Sequence, residues 1–559
     1  MLRLLEARDQ RDTTRFGLVW EANEIERDKA LNNDFVALDL VREQCVGAAP
    51  WRNLIIEGDN YDALRYLRMA FTGQVKCIYI DPPYNTGKED FLYNDRFVDK
   101  VDSWRHSKWC EFICQRLMLA RDLLTPDGVI FVSIDDNELF ALGLLMNRIF
   151  GDSNKLACFA WQTDGNFDNQ AKVKICHEYV LAYARKIEQF PPPPVIDPMI
   201  PKSSKLFRTE IKNTIVKNGP KNPVSAIRLP VGFPSSVQNA VIPARQDKWP
   251  TFEDDLVINE GQLEKATEVM SGWSSKEICE DFIKRGCKPI LDSKGQMTRF
   301  ELSATGAIEV VKTRSEAQSH VISVIRGFGS TQSQSADLAT LGIQFSYPKP
   351  LGLIQYLVSM VADPNALVLD FFAGSGTTAN AVHKLNSEDG GQRRVILVSS
   401  TEATEDTPGK NLCRDVCATR VRRVIEGYTP EGGEPVPGLG GDFAYLRTHR
   451  IQSGRLLEIE HAQVWTALQL AHFDNFTEYK DAPFLWAGDE ESAICYVPRF
   501  RGDMAAALRR KVKESASVAF YSWQPQTLKQ HIRDSHVTHL SVSDTLTRRF
   551  GLNLTLSPA

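Results

Sequence analysis

Short apolar runs alternate with helix-spaced segments in two blocks of this chain, 51–189 and 341–430, and the pattern lapses between them. That layout constrains the fold most tightly, because strands alternating with helices build a parallel sheet clad in helices. In the first block, Leu54-Ile55-Ile56 followed by Glu57-Gly58-Asp59-Asn60 reads as a buried strand ending in a polar turn, and Tyr61 to Ala70 has helical spacing. Val75 to Ile80 is a second strand. Cys110 to Leu124 is a helix closed by Thr125-Pro126-Asp127-Gly128, and Val129 to Ile134 is a third strand. Phe159-Ala160-Trp161 and Tyr179 to Ala184 predict an edge hairpin. In the second block, Leu351 to Val361 is a helix, Ala366 to Phe372 a strand that opens a glycine turn and a helix, and Arg394 to Ser399 another strand. One sheet is thus written in two pieces. The insertion, 190–340, begins at the proline run 191–194. Residues 1–50 are polar and partly helical, and 431–559 is a mixed segment entered through a Gly/Pro-rich stretch.

Two strand ends carry chemistry. Val75 to Ile80 runs into Asp81-Pro82-Pro83-Tyr84, where consecutive prolines remove two backbone donors and fix φ, leaving a rigid turn with unpaired carbonyls. Ligands of open α/β sheets bind at the carboxyl ends of strands. There, Asp81 and the Pro82 carbonyl suit the two protons of an exocyclic amino group, and Tyr84 suits stacking on a base taken out of a duplex. The second strand end is Asp370-Phe371-Phe372-Ala373-Gly374-Ser375-Gly376-Thr377. Its glycines let the backbone approach a ligand. No Lys-Ser or Lys-Thr follows, so this is not a Walker A loop, and Ala379 stands where a dinucleotide fold has its third glycine. The next strand leads to Glu402, an acidic residue suited to ribose hydroxyls. Phe345-Ser346-Tyr347-Pro348-Lys349-Pro350 taken alone is a loop entering a helix.

Sixty-six Lys and Arg against 71 Asp and Glu give a net charge of −5, which excludes a uniformly basic coat. Positive charge is concentrated instead in the insertion, where Lys202, Lys205, Arg208, Lys212, Lys217, Lys221, Arg228, Arg245 and Lys248 face only Glu210 and Asp247. These nine are candidate phosphate contacts. Eleven cysteines without zinc spacing point to reduced thiols, a cytoplasmic location and no metal site. No apolar run reaches 18 residues, so no membrane span is expected, and the first nine residues meet charge too early for a signal peptide.

Together these motifs resemble the adenine-N6 DNA methyltransferases of the β class, in particular the modification subunits of Type III restriction–modification systems. The resemblance covers about 50–190 and 340–430, and includes the order Asp-Pro-Pro-Tyr, insertion, Phe-x-Gly-x-Gly. It implies an α/β, Rossmann-like, S-adenosylmethionine-dependent methyltransferase fold, circularly permuted, with a seven-stranded sheet. Within it, 51–189 is the catalytic half, 190–340 a target recognition domain and 341–430 the cofactor half. Beyond the N-terminal extension 1–50, the segment 431–559 is, by elimination, a candidate for dimerisation or partner docking. Residue by residue, Asp81, Pro82, Pro83 and Tyr84 would hold the target adenine. Phe372, Ala373, Gly374, Ser375, Gly376 and Thr377 would line the methionine part of the cofactor, with Asp370 steadying the loop or meeting the amino group. Lys349 with Tyr347 and Pro350 would hold the methionine carboxylate, Glu402 the ribose, and Asp59 and Asn60 the region of the cofactor adenine. The implied partners are double-stranded DNA, a second copy of the chain, and a separate restriction or defence subunit.

Cytosine-N4 methylation uses the same amine chemistry, but Asp rather than Ser at position 81 argues against it. The absence of a Pro-Cys dipeptide disfavours cytosine-C5 chemistry. RNA or protein-amide methylation, or a non-catalytic DNA-specificity module, would keep the fold. His177-Glu178-Tyr179 precedes an apolar strand, lacks a second His at metal spacing, and reads as structural.

Overall fold

Alternate residues of each central strand enter two different apolar cores, one on either side of a ten-stranded sheet. The computed structural model describes residues 34–87, 92–93, 96–97, 104–163, 172–200, 210–293, 295–313, 321–404, 406–452 and 454–550. The chain divides into two units, one made of the segments up to Val195 and from Val321, the other running from Ile196 to His320.

In the first unit the sheet strands are β1 (Phe35–Leu40), β2 (Leu54–Glu57), β3 (Val75–Ile80), β4 (Leu124–Ile134), β5 (Lys155–Gln162), β6 (His177–Ala184), β7 (Val324–Ile325), β8 (Leu367–Asp370), β9 (Arg394–Ser399) and β10 (Ala444–Ile451). Their spatial order is β1-β10-β2-β9-β8-β3-β4-β6-β5-β7. Strands β10, β2, β9, β8, β3 and β4 are mutually parallel, whereas β6 runs antiparallel to both β4 and β5. In β3, Ile78 and Ile80 face the core shared with helices α1 (Asn60–Phe71), α2 (Arg105–Leu123) and α3 (Leu139–Phe150). Cys77 and Tyr79 face the core shared with α4 (Leu351–Ser359), α5 (Thr377–Asp389) and α6 (Thr419–Glu426). Burial on both faces explains why these strands read as continuous apolar runs rather than alternating ones.

Several expectations change. The sheet has ten strands instead of seven, because residues in three segments outside the motif-bearing blocks join it: Phe35–Leu40, Val324–Ile325 and Ala444–Ile451. The polar reading of 1–50 overlooked Phe35-Val36-Ala37-Leu38, all buried. The turn expected at 125–128 lies inside β4. Val75 pairs with Leu124 and Cys77 with Val129, so a bulge takes up the extra residues. The hairpin of β5 and β6 is not at the edge, since β7 covers β5.

The second unit, irregular in texture by sequence, is built of short strands. Glu210–Thr214, Ile290–Leu291, Met297–Leu302 and Ile308–Thr313 form one sheet, and Ser225–Leu229 pairs with Thr267–Ser271. Phe233, Phe252, Trp273, Phe282 and Phe300 fill its separate core. Strands of two to six residues between Gly, Pro and Asn turns leave little periodicity to read.

Part of the C-terminal segment completes the large sheet through β10. The remainder forms a smaller sheet of β11 (Leu485–Gly488), β12 (Ser492–Val497), β13 (Ser517–Ser522) and β14 (Val537–Ser541), the last three parallel. All eleven cysteines are free thiols. No helix among the described residues is long and apolar enough to cross a membrane.

Candidate active site

The two motif-bearing strands are immediate neighbours. β8 pairs with β3 in parallel, Val368 opposite Cys77 and Leu369 opposite Ile78. Their carboxyl ends therefore emerge side by side, and the Asp81 turn stands next to the Phe372–Thr377 turn although the sequence separates them by the whole second unit.

The Asp81 turn is tightly held. Trp109, fully buried on α2, donates its Nε1–H to the Pro83 carbonyl at 2.7 Å. Asn85, at φ 57°, donates to the Glu138 carboxylate, which is fully buried and also meets His106 Nδ1 at 2.6 Å. Among the described residues no donor meets the Pro82 carbonyl. The Asp81 side chain keeps a quarter of its surface open. Burial by the surrounding protein raises its pKa above the usual carboxylate value, against the opposing pull of Lys349.

Lys349 is the centre of the site's charge. Its Nζ lies 3.2 Å from Asp81 Oδ1 and 3.1 Å from Glu178 Oε2, and 4.7 Å from the centre of the Tyr84 ring. The Tyr84 hydroxyl donates to the same Glu178 oxygen at 2.9 Å. Burial alone would lower the Lys349 pKa, but the two carboxylates outweigh it and hold the ammonium charged. Glu178 reaches this place because β6 is antiparallel to β4, so its first residues lie at the carboxyl edge of the parallel strands. The predicted hairpin contained that signal: a strand returning antiparallel starts where its neighbour ends.

The glycine turn is built from within. Asp370 accepts the Phe372 N–H at 3.0 Å and the Thr378 hydroxyl at 2.5 Å, and burial pushes its pKa up to about 7. Gly374 and Gly376 have φ of 48° and 76°, conformations that side chains other than glycine's resist. Beneath the turn, the fully buried Arg420 donates to Ser375 Oγ at 3.1 Å and Thr377 Oγ1 at 2.7 Å, and burial lowers its pKa to about 10. Sequence reasoning missed Arg420 and Trp109, whose patterns match ordinary helix residues, and Glu138, which directly precedes α3.

A family model for DNA methylases, of the N6/N4 type, matches residues 75–397 and so takes in both turns. The chain belongs to the N6/N4 DNA methylase family. The chain is 34% identical over 398 residues to the Mod subunit of the Type III restriction–modification enzyme EcoPI of Escherichia phage P1, an overlap of 64% of this chain and 58% of that one. It is 28% identical over 429 residues to the EcoP15I Mod subunit of Escherichia coli, covering 68% and 64%. To the Type II methyltransferase M.KpnI of Klebsiella pneumoniae it is 28% identical over 397 residues, covering 66% and 87%. The chain thus spans about three fifths of the length of the Type III relatives it matches.

Of the remaining expected site residues, some lie at this edge and some do not. Asp59 caps α1, accepting from the Tyr61 and Asp62 N–H groups, and pairs with Arg116 at 3.2 Å; Asn60 donates to the Phe371 carbonyl at 3.0 Å. Both therefore lie at the carboxyl edge, tied to the glycine turn. Tyr347 is 76% exposed, whereas Pro350 caps the start of α4. Glu402 is exposed and pairs with Lys410 at 2.9 Å.

Of the basic residues in the second unit, Lys202, Lys205 and Arg208 lie outside the described residues. Lys212 pairs with Glu301 at 2.6 Å, and Arg245 donates to the Pro250 carbonyl and stacks 4.9 Å from the Phe252 ring centre. Lys217, Lys221, Arg228 and Lys248 are exposed.

Proposed function

We propose that this chain transfers a methyl group from S-adenosylmethionine to adenine N6 in double-stranded DNA, at a base turned out of the helix. It would act as the modification subunit of a cytoplasmic restriction or defence system. The observation that carries this reading is the adjacency of the Asp81 and Phe372–Thr377 turns on paired strands, with Lys349 joining Asp81 to Glu178.

The residues suit such a cofactor. Two carboxylates share one ammonium, so the site keeps an excess negative charge that favours a cationic ligand. Gly374 keeps half-buried backbone where the amino-acid part of the cofactor would lie, the left-handed Gly376 turns the chain into α5, and Asp370 is spent on shaping that turn. When bound, the cofactor supplies an electrophilic methyl group on a sulfonium. Asp81 and the Pro82 carbonyl accept the two N6 protons, which localises the nitrogen lone pair. The raised basicity of Asp81 suits it to take the proton that nitrogen sheds. Tyr84 provides the stacking surface, and orientation with electrostatics supplies the rest.

In this reading the sheet is a circularly permuted methyltransferase, the unit Ile196–His320 reads the target, and the segment 431–559 serves dimerisation or docking of a restriction subunit. The family covers both N6 and N4 chemistry; Asp81 favours adenine. Duplex genomic DNA treated with the purified chain and S-adenosylmethionine should yield N6-methyladenine on nucleoside analysis, at sites that sequencing then locates. N4-methylcytosine would transfer the reading to cytosine, and no methylated base would refute it.

A further inference from the structure

The sequence reading leaves Glu178 a structural residue, yet its carboxylate accepts the Tyr84 hydroxyl and pairs with the lysine beside Asp81. Resting on the adenine methyltransferase reading, we propose that Glu178 is a positioning residue for the methyl acceptor. It locks the Tyr84 ring through its hydroxyl, and through Lys349 it sets the charge that Asp81 presents to the amino group.

Three observations carry this. The Tyr84 hydroxyl is held at 2.9 Å by Glu178 while Lys349 lies over the ring at 4.7 Å from its centre. The ring is therefore fixed at its tip and covered on one face, so a base stacks only on the other. Lys349, 6% exposed, sits between Asp81 and Glu178 at nearly equal distances and cannot leave one carboxylate without unbalancing the other. Two carboxylates on one ammonium leave one negative charge beside the reacting amine, whose nitrogen gains positive charge as the methyl arrives. Removing the Glu178 charge makes the cluster neutral and gives Lys349 wholly to Asp81.

The groups around this cluster define the pH response. Glu178 and Asp81 are faced by Lys349 and Tyr84, by Tyr79 on β3, by Asp370 on β8 and by Asp135 after β4. Glu178 raises the Asp81 pKa and Lys349 lowers it. Loss of the Glu178 charge therefore shifts the Asp81 titration to lower pH.

The test uses the full chain and a duplex built on the sequence that the wild type methylates, with and without 2-aminopurine replacing the acceptor adenine. In Glu178→Gln, kcat should fall about tenfold, equivalent to one pKa unit of charge interaction. The KM for S-adenosylmethionine should stay unchanged, and the acid limb of the kcat–pH profile should move to lower pH. In Glu178→Ala the freed ring should stack less well, giving brighter 2-aminopurine fluorescence in the bound complex than the wild type gives. Glu178→Gln with wild-type kcat and an unmoved acid limb would overturn the proposal. So would equal losses of kcat and cofactor binding with that limb unmoved, which would mark a merely structural residue. A wild-type chain that methylates no DNA would instead defeat the adenine reading itself.

Discussion

Helix α5 is bounded by two glycines with nearly the same left-handed backbone, Gly376 at φ 76° before it and Gly390 at φ 73° after it. Only the first belongs to the proposed cofactor turn, so the pair separates backbone strain from function. A left-handed residue other than glycine costs about 1–2 kcal/mol. Alanine recovers roughly 0.4–1 kcal/mol by restricting the unfolded chain. Gly390→Ala has nothing within 4 Å of the new Cβ, so its net cost should be about 1 kcal/mol. At Gly376 the Cβ would meet the Cys417 carbonyl, the Cys417 sulfur and Val421 Cγ2, all at 3.3 Å. The turn must then shift by a few tenths of an ångström, adding about 1–2 kcal/mol of overpacking. Urea unfolding should show both losses, larger for Gly376→Ala. Calorimetric titration with S-adenosylmethionine should show affinity down about tenfold in Gly376→Ala, since a displaced turn gives up about 1.4 kcal/mol of binding, and unchanged affinity in Gly390→Ala. Equal affinities in the two variants would refute the assignment of this turn to the cofactor.

Trp109→Phe leaves the half-buried Pro83 carbonyl without its Trp109 donor, which should cost about 0.5–1.5 kcal/mol of stability and lower methyl incorporation while the cofactor Kd holds. Asp370 is buried with its pKa raised to about 7 from 3.8, so the protonated form favours the fold. Its stabilising contribution is complete below pH 3.8 and is lost as pH rises through about 7. The wild-type Tm should therefore fall across that window more steeply than the Tm of Asp370→Asn, and parallel profiles would remove the effect. Neutralising Lys217, Lys221, Arg228 and Lys248 together should flatten the salt dependence of DNA binding, measured by fluorescence anisotropy. The log–log slope should shrink by about 0.9 for each phosphate that these side chains no longer neutralise. Lys212→Gln, whose ammonium is engaged with Glu301, should leave that slope nearly intact and lower the Tm instead.

What the sequence determined by itself was local. Runs such as Val75–Ile80 and Leu367–Asp370 could only be strands buried on both faces, and the prolines after Ile80 and the glycines after Phe372 dictated the turns that follow. Backbone sterics and hydrophobic burial act over a few residues, so they are legible without a fold. The short strands of the second unit and the sheet strands at 35–40 and 444–451 were not legible. Two- to six-residue strands carry little period, and a strand such as β10 is defined by the partners β1 and β2 that lie about 400 residues away in the chain. Only tertiary structure decided what the site contains. Pairing of β8 with β3 brings the two turns together, and the antiparallel run of β6 delivers Glu178 to the same edge. Lys349, expected on a cofactor carboxylate, stands between Asp81 and Glu178, because which carboxylates face a lysine depends on strand order and direction rather than on its neighbours in sequence.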